Sequence, residues 1–436
     1  HSGDGVLNIV KGDGNTFATP VTITPAGVET YLAYWTGPDV AAHGDTVIAV
    51  FKALPFDGGK IYAVRSTDGG LTFSDTIRVD DHTTGRVFLP SLDLDNNGNP
   101  TAIYMAFEGS NADPRYVATR SLDGGLTFET GSEIASSNAA EACDCCPGEV
   151  VIDGNRQVVL YRNNLQNIRD IYGSLSTDGG QTFAAATNME YLNWNINSCP
   201  STGPHGLAMG DSLIVVSASQ ASGAYRVYVS VASWDNGLTF QHQTELLPPT
   251  NVNGKQNYPR ISGENDTIIV VWEERETSNP EIFCSVVTNG NTNDLAVYKS
   301  RVNTVTSGVQ TNPDIVYRNG FAHVVYSDAA SGDVIYRRGT IIDVTGVEEN
   351  SLLQIQTFPN PSAAGRYNLI GIPAGNWEAV VTDLSGKVIG STLNSTAGGY
   401  ELMLIETANE GVYFVQLQNE SGSRLTVQLV KTKGEF

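Results

Sequence analysis

Four of the five cysteines in this chain crowd into one stretch: Cys143, Cys145, Cys146 and Cys199, with Cys284 standing apart. Their surroundings read Glu141-Ala142-Cys143-Asp144-Cys145-Cys146-Pro147 and Cys199-Pro200-Ser201-Thr202-Gly203-Pro204-His205. Thiols this close support two chemistries. In an oxidising compartment they pair, and a bridge from Cys143 or Cys146 to Cys199 clamps two long loops. A bridge between the neighbours Cys145 and Cys146 is a strained alternative. As thiolates, with His205 as an imidazole donor, they suit a soft metal such as copper or zinc. The disulfide is the preferred expectation. An odd cysteine count leaves at least one thiol over. Cys284, inside an apolar run, is expected to be that buried thiol.

A second set of side chains bears on ligand recognition. Arg86, Arg115, Arg162 and Arg260 offer the planar fork that grips a carboxylate, although each is also a common surface charge. Glu108, Glu273 and Asp328 close apolar runs, where paired carboxylates serve glycoside chemistry. Trp194 offers a face for a sugar ring. They make no complete catalytic set, so no catalytic residue is assigned. There is no phosphate loop, dinucleotide fingerprint, HExxH helix or serine elbow.

Two overlapping repeats must position these residues. The first is Ser-x-Asp-x-Gly-x-Thr-Phe, with its aspartate at Asp68, Asp123, Asp178 and Asp235, in steps of 55, 55 and 57. A shortened copy carries Asp13, and a degenerate one lies near Gly290. The second repeat is a proline opening an apolar run: Pro38, Pro90, Pro147, Pro204, Pro259 and Pro313. After each proline come an apolar strand, a turn rich in Asn, Asp and Gly, and a second strand such as Val47–Phe51 or Ile268–Trp272. Each unit of about 55 residues reads as strands A and B, a loop, strand C, the aspartate box and strand D, four strands per propeller blade. Six prolines predict six blades. Residues near 17–25 are expected to complete the last one. The box aspartates are expected to brace hairpins, a structural role. The D–A and B–C loops then share one end of the ring, where the cysteine loops meet.

The formal charge of −22 argues against nucleic acid and anionic membranes as partners. No apolar run reaches membrane-spanning length. No leader is visible at His1, as in a mature or a trimmed form of an exported chain.

With these motifs in view, residues 1–342 resemble the sialidase-like Asp-box (BNR-repeat) propellers. That resemblance implies an all-β ring, and for active members three arginines, a Tyr–Glu pair and an Asp acid. Where the family carries Arg-Ile-Pro in its first blade, this chain has Trp35-Thr36-Gly37-Pro38. After an acidic linker at 343–356, residues 357–436 show Phe358-Pro359-Asn360-Pro361, Asp383-Leu384-Ser385-Gly386-Lys387, Gly411-Val412-Tyr413-Phe414-Val415 and a basic tail. This resembles the C-terminal sorting domain of the type IX secretion system. It implies a small immunoglobulin-like β-sandwich, the secretion machinery as partner, a Bacteroidetes-type source, and a secreted or cell-surface location. The preferred expectation is a non-catalytic module binding a glycan or a surface protein, or serving adhesion. A diverged sialidase-like glycoside hydrolase and a copper- or zinc-binding propeller are the alternatives.

Overall fold

A computed structural model describes residues 5–109, 112–134, 141–276, 278–341, 355–373, 375–396, 398–405, 407–419 and 424–433. Most of the acidic linker, up to residue 354, lies outside the described residues. The chain divides into two compact units, His1–Ile341 and Ile342–Phe436. It is all-β, with only two short 3-10 turns among the described residues.

The first unit opens with a small pair, β1 (Asn8–Ile9) and β2 (Val21–Thr22). Five four-stranded antiparallel meanders follow. They are β3 (Asp39–His43), β4 (Thr46–Lys52), β5 (Ile61–Ser66) and β6 (Ile77–Arg78); β7 (Val87–Leu94), β8 (Pro100–Glu108), β9 (Ala112–Arg120) and β10 (Ser132–Ile134); and β11 (Glu149–Asp153), β12 (Arg156–Arg162), β13 (Ile171–Ser176) and β14 (Thr187–Asn188). Next come β15 (His205–Met209), β16 (Ser212–Ser219), β17 (Arg226–Ser233) and β18 (Thr239–Glu245), then β19 (Lys255–Glu264), β20 (Thr267–Arg275), β21 (Pro280–Val287) and β22 (Ser300–Arg301). A three-stranded sheet of β23 (Gln310–Arg318), β24 (Phe321–Asp328) and β25 (Asp333–Thr340) ends the unit.

The second strand of each four-stranded sheet in this unit is buried on both faces, which is why Val, Ile and Ala run through it without alternation. Each sheet packs on the next through an apolar layer. Ile48, Val50 and Ile61 meet Leu92, Ala102 and Tyr104, and Ile214 and Val216 meet Ile261 and Val270 in the same way. The repeating prolines mark the first strands. At Pro90, Pro259 and Pro313 the strand ladder slips, because proline has no N–H to give. The preceding residues Leu89, Tyr258 and Asn312 take left-handed backbone, with φ of 54°, 49° and 53°.

The first strands are also tied side chain to backbone, each to the next. Asp39 Oδ2 accepts the Leu92 N–H at 3.0 Å and Asp93 Oδ2 that of Ile152 at 2.9 Å. Glu149 Oε2 accepts from Gly206 at 3.1 Å, His205 Nδ1 from Ile261 at 3.3 Å and Ser262 Oγ from Tyr317 at 2.9 Å. The last sheet is not completed by residues 17–25 as a paired strand: Val21–Thr22 pairs with Asn8–Ile9 instead. The neighbouring residues still latch it. Phe17 meets Tyr336 edge-on at 5.0 Å, Arg338 Nη1 donates to Asn15 Oδ1 at 3.2 Å, and Leu7 and Ile23 pack against Ala49, Phe51 and Val64 of the first sheet.

The second unit has two four-stranded sheets. One is β26 (Gln356–Phe358), β27 (Arg366–Ile370), β31 (Gly399–Leu404) and β30 (Ser391–Thr396). The other is β29 (Val388–Ile389), β28 (Trp377–Asp383), β32 (Gly411–Asn419) and β33 (Arg424–Lys431). Tyr367, Leu369 and Leu402 of one sheet share a core with Val381, Val415 and Leu429 of the other. Asp383 braces its turn by accepting from Ser385 and Lys387 N–H, and Asn360 clips the opening segment to Val430.

Candidate functional site

The aspartate boxes fix which end of the first unit is which. Asp68 Oδ1 accepts from the N–H groups of Leu71 and Thr72 at 3.0 and 2.9 Å, and its Oδ2 from the Thr72 hydroxyl at 2.6 Å. Asp123 and Asp178 repeat the pattern, and Asp13 keeps a reduced form of it. These bonds hold the carboxyls of Asp123 and Asp178 down at about 2. Asp235 departs from expectation. It accepts only from the side chain of its neighbour Asn236. Asn236 replaces the glycine that is left-handed in the other boxes, and the adjacent Trp234 is fully buried, donating to Gly210 O at 3.0 Å. The boxes bond to the turns between first and second strands, as Gly69 N to Asp45 O and Gly179 N to Asn155 O. The remaining loops gather at the opposite end.

The cysteines lie there, with a pairing the spacing did not single out. Cys145 and Cys199 form the disulfide, with Cα atoms 6.2 Å apart, joining the loops that precede β11 and β15. Cys143 and Cys146 are free and buried, with their Sγ atoms 2.8 Å apart. The expected bridge from Cys143 or Cys146 to Cys199 is therefore absent; the Cys143 chain N–H is held by Arg162 O, which turns its sulfur inward. The Sγ atoms of Cys143, Cys145 and Cys146 lie within 4.8 Å of one another. His205 is not among them. Its Nδ1 takes the Ile261 N–H, and its Nε2 lies 3.4 Å from Glu149. Burial, then Arg260, pushes its pKa well below the usual histidine value, so it serves as a neutral strut between first strands. Cys284 is half-buried in β21, and burial raises its thiol to about 11.

Most of the charged candidates turn out to be structural. Arg162 is fully buried and gives its N–H groups to the carbonyls of Thr202, Arg169 and Ala218. Arg86 is enclosed by the rings of Phe56, Phe88 and Phe107, with Phe107 4.2 Å away. Arg115 pairs with Glu133 at 2.7 Å and with Asp113 and Glu108. Asp328 is buried and caps the turn at Ala330. Trp194 is buried under Arg162 and edge-on to Tyr225 at 5.6 Å. It still floors an open depression of about 270 Å³, bordered by Asn193, Asn195, Ile196, Gln220 and Gly223. A guanidinium or carboxylate withdrawn from water needs partners; at Arg162, Arg115 and Asp328 the fold supplies hydrogen bonds, and at Arg86 it supplies aromatic faces and Asp57 at 3.9 Å. Of the four candidate arginines, Arg260 alone stays about a third exposed, 3.9 Å from Asp314.

A different group occupies the loop end. Tyr34 is 65% exposed and edge-on to both Trp35, at 4.7 Å, and Tyr258, at 6.3 Å. Tyr258 is flanked by Asn257, which sits opposite Glu273 across β19 and β20. Trp35 Nε1, Asn257 Oδ1 and Glu273 Oε2 are buried atoms with no hydrogen-bond partner in the protein. Burial raises the Glu273 carboxyl to about 7, against the pull of Arg275. Of this set only Glu273 was picked out from sequence. The signal for the others was the run Tyr34-Trp35 just before a repeat proline and Asn257-Tyr258 just before another.

Residues 9–271 match the protein family described as BNR repeat-like domain. No curated protein matches the chain. Among solved structures, a protein of unknown function from Dyadobacter fermentans is 13% identical over 72% of this chain and 98% of its own, with a TM-score of 0.49. The NanB sialidase of Streptococcus pneumoniae is 11% identical over 73% of this chain and 69% of its own, with a TM-score of 0.49. An alpha-L-arabinanase of Penicillium chrysogenum is 14% identical over 79% and 93%, with a TM-score of 0.44.

Proposed function

Because this chain belongs to the BNR repeat-like domain family, we propose that it is an exported, six-bladed β-propeller that binds a carbohydrate at its loop end without cleaving it. The observation that carries this reading is the juxtaposition of the Tyr34 and Tyr258 rings with three buried, unpartnered polar atoms on Trp35, Asn257 and Glu273. Sugars present apolar ring faces edged by hydroxyls, and aromatic faces beside unspent donors and acceptors complement both. The missing first-blade arginine and the structural use of Arg86, Arg115 and Arg162 leave no triad for a carboxylated sugar. Calorimetry against a panel of neutral and acidic oligosaccharides tests the reading. Saturable binding, weakened at least tenfold by Tyr258→Ala and Glu273→Gln, is the expected result. Absence of binding to the panel by the folded wild type refutes it.

One observation favours a second reading, a diverged glycoside hydrolase. A carboxyl at about 7 is poised as a proton donor. Release of free sugar by wild type, abolished in Glu273→Gln, would replace the binding reading with this one. The cysteine sulfurs carry the metal alternative: copper or zinc held by Cys143 and Cys146, detectable by elemental analysis of protein purified without chelator.

The second unit is proposed as the export address, an immunoglobulin-like sorting domain read by type IX machinery, which places the chain outside the cell or on its surface. Its two-sheet core and the Asp383 turn support that reading. A chain ending at Ile341, expressed in a host with that machinery, is expected to stay in the periplasm.

A further inference from the structure

The buried thiol pair and the disulfide beside it have no part in carbohydrate binding. We propose that Cys143 and Cys146 exchange with the Cys145–Cys199 disulfide, so that the two loops pass one disulfide between a surface position and an interior one. The geometry is that of a relay. Cys143 Sγ lies 3.7 Å from Cys145 Sγ, which is already bonded to Cys199, and 2.8 Å from Cys146 Sγ. Cys143 and Cys146 are 1% and 0% exposed, whereas Cys199 faces solvent. The three residues Cys143, Cys145 and Cys146 fall in one tight turn, closed by Cys146 N donating to Cys143 O.

The chemistry is thiol–disulfide exchange. The Cys143 thiolate forms a bond to Cys145 Sγ. The Cys145–Cys199 bond breaks, and its electron pair leaves on Cys199, which takes up the proton given up by Cys143. Cys146, once deprotonated, then bonds to Cys143 Sγ, and Cys145 leaves with the electron pair and gains that proton. One disulfide breaks and one forms at each step, so no outside oxidant or reductant enters. The product is a buried Cys143–Cys146 bridge and a pair of thiols at Cys145 and Cys199. Those thiols can exchange with a disulfide on another molecule.

The test uses the full chain, reduced and then given one molar equivalent of a two-electron thiol oxidant. The folded protein is treated with a bulky maleimide, quenched in acid and mapped by mass spectrometry. Wild type is expected to expose Cys199 to labelling and to yield bridges that include Cys143. Cys146→Ser is expected to label Cys199 too, with Cys143–Cys145 trapped. Cys143→Ser is expected to label Cys199 at least tenfold more slowly. Labelling of Cys284, at one rate in all three, reports an intact fold. If a variant fails that control, the wild-type map decides. A Cys145–Cys199 bridge alone, with Cys199 unlabelled in wild type and in Cys146→Ser, overturns the proposal. So does equal labelling of Cys199 in Cys143→Ser.

Discussion

Glu190 offers a sharp test of how this fold manages buried charge. It sits on the loop before β15, 1% exposed. Its Oε2 accepts the Ile171 N–H at 3.0 Å, and its Oε1 contacts the Ser217 hydroxyl. Burial raises its carboxyl from 4.5 to about 7, although Arg162 pulls the other way. A carboxyl raised on folding favours the protonated form. Its stabilising effect is full below 4.5 and is lost as pH rises through about 7. At 1.36 kcal/mol per pH unit, this amounts to roughly 3 kcal/mol between those limits. Glu190→Gln keeps the shape, still accepts from Ile171 and can donate to Ser217, but never carries the charge. The variant is expected to match wild type at pH 4.5 and to exceed it by roughly 3 kcal/mol at pH 8. For a unit of this size that is about 4–6 °C in the melting temperature of the propeller transition. Thermal melts of both proteins across that range read it directly. A difference that stays constant with pH, or a variant equally destabilised at both ends, would show that Arg162 keeps Glu190 ionised.

Three further outcomes are expected. Asp123→Ala removes bonds to two chain N–H groups and costs about 1–2 kcal/mol, while Asp235→Ala, at a box that braces nothing, costs under about 0.5 kcal/mol by denaturant titration. Arg162→Met leaves three buried carbonyls unpaired and costs about 3–5 kcal/mol, whereas Arg260→Met changes stability by less than about 1 kcal/mol. Phe17→Ala loses the edge contact to Tyr336 and lowers stability by about 1 kcal/mol, with Tyr336→Ala adding little more in the double variant.

Local patterning made much of the framework readable. The proline and aspartate-box spacings locate every second strand of the six sheets, because turn chemistry and apolar runs act over a few residues. The braces at Asp68, Asp123 and Asp178 follow from the same local logic. What failed was long-range. Nothing in the spacing of Cys143, Cys145 and Cys146 tells which sulfur faces out, since the backbone bond to Arg162 decides it. Arg162 itself looked like a ligand because a charge at a strand end is usually exposed; only the converging carbonyls of Thr202 and Ala218 make it interior. The Tyr34–Tyr258 contact joins a loop to the start of β19, more than 220 residues away, beyond the reach of any motif.

The latch between Asn15 or Phe17 and the last sheet has a consequence for how the molecule assembles. Its partners, Asn15 and Arg338, are 323 positions apart, whereas each meander closes over a few dozen. Individual sheets can therefore fold early and cheaply, but the circle cannot shut until almost the whole first unit has emerged. Until that moment Asn15 and Phe17 lack their partners in the last sheet, so the final seam is sealed by the oldest and youngest parts of the chain together.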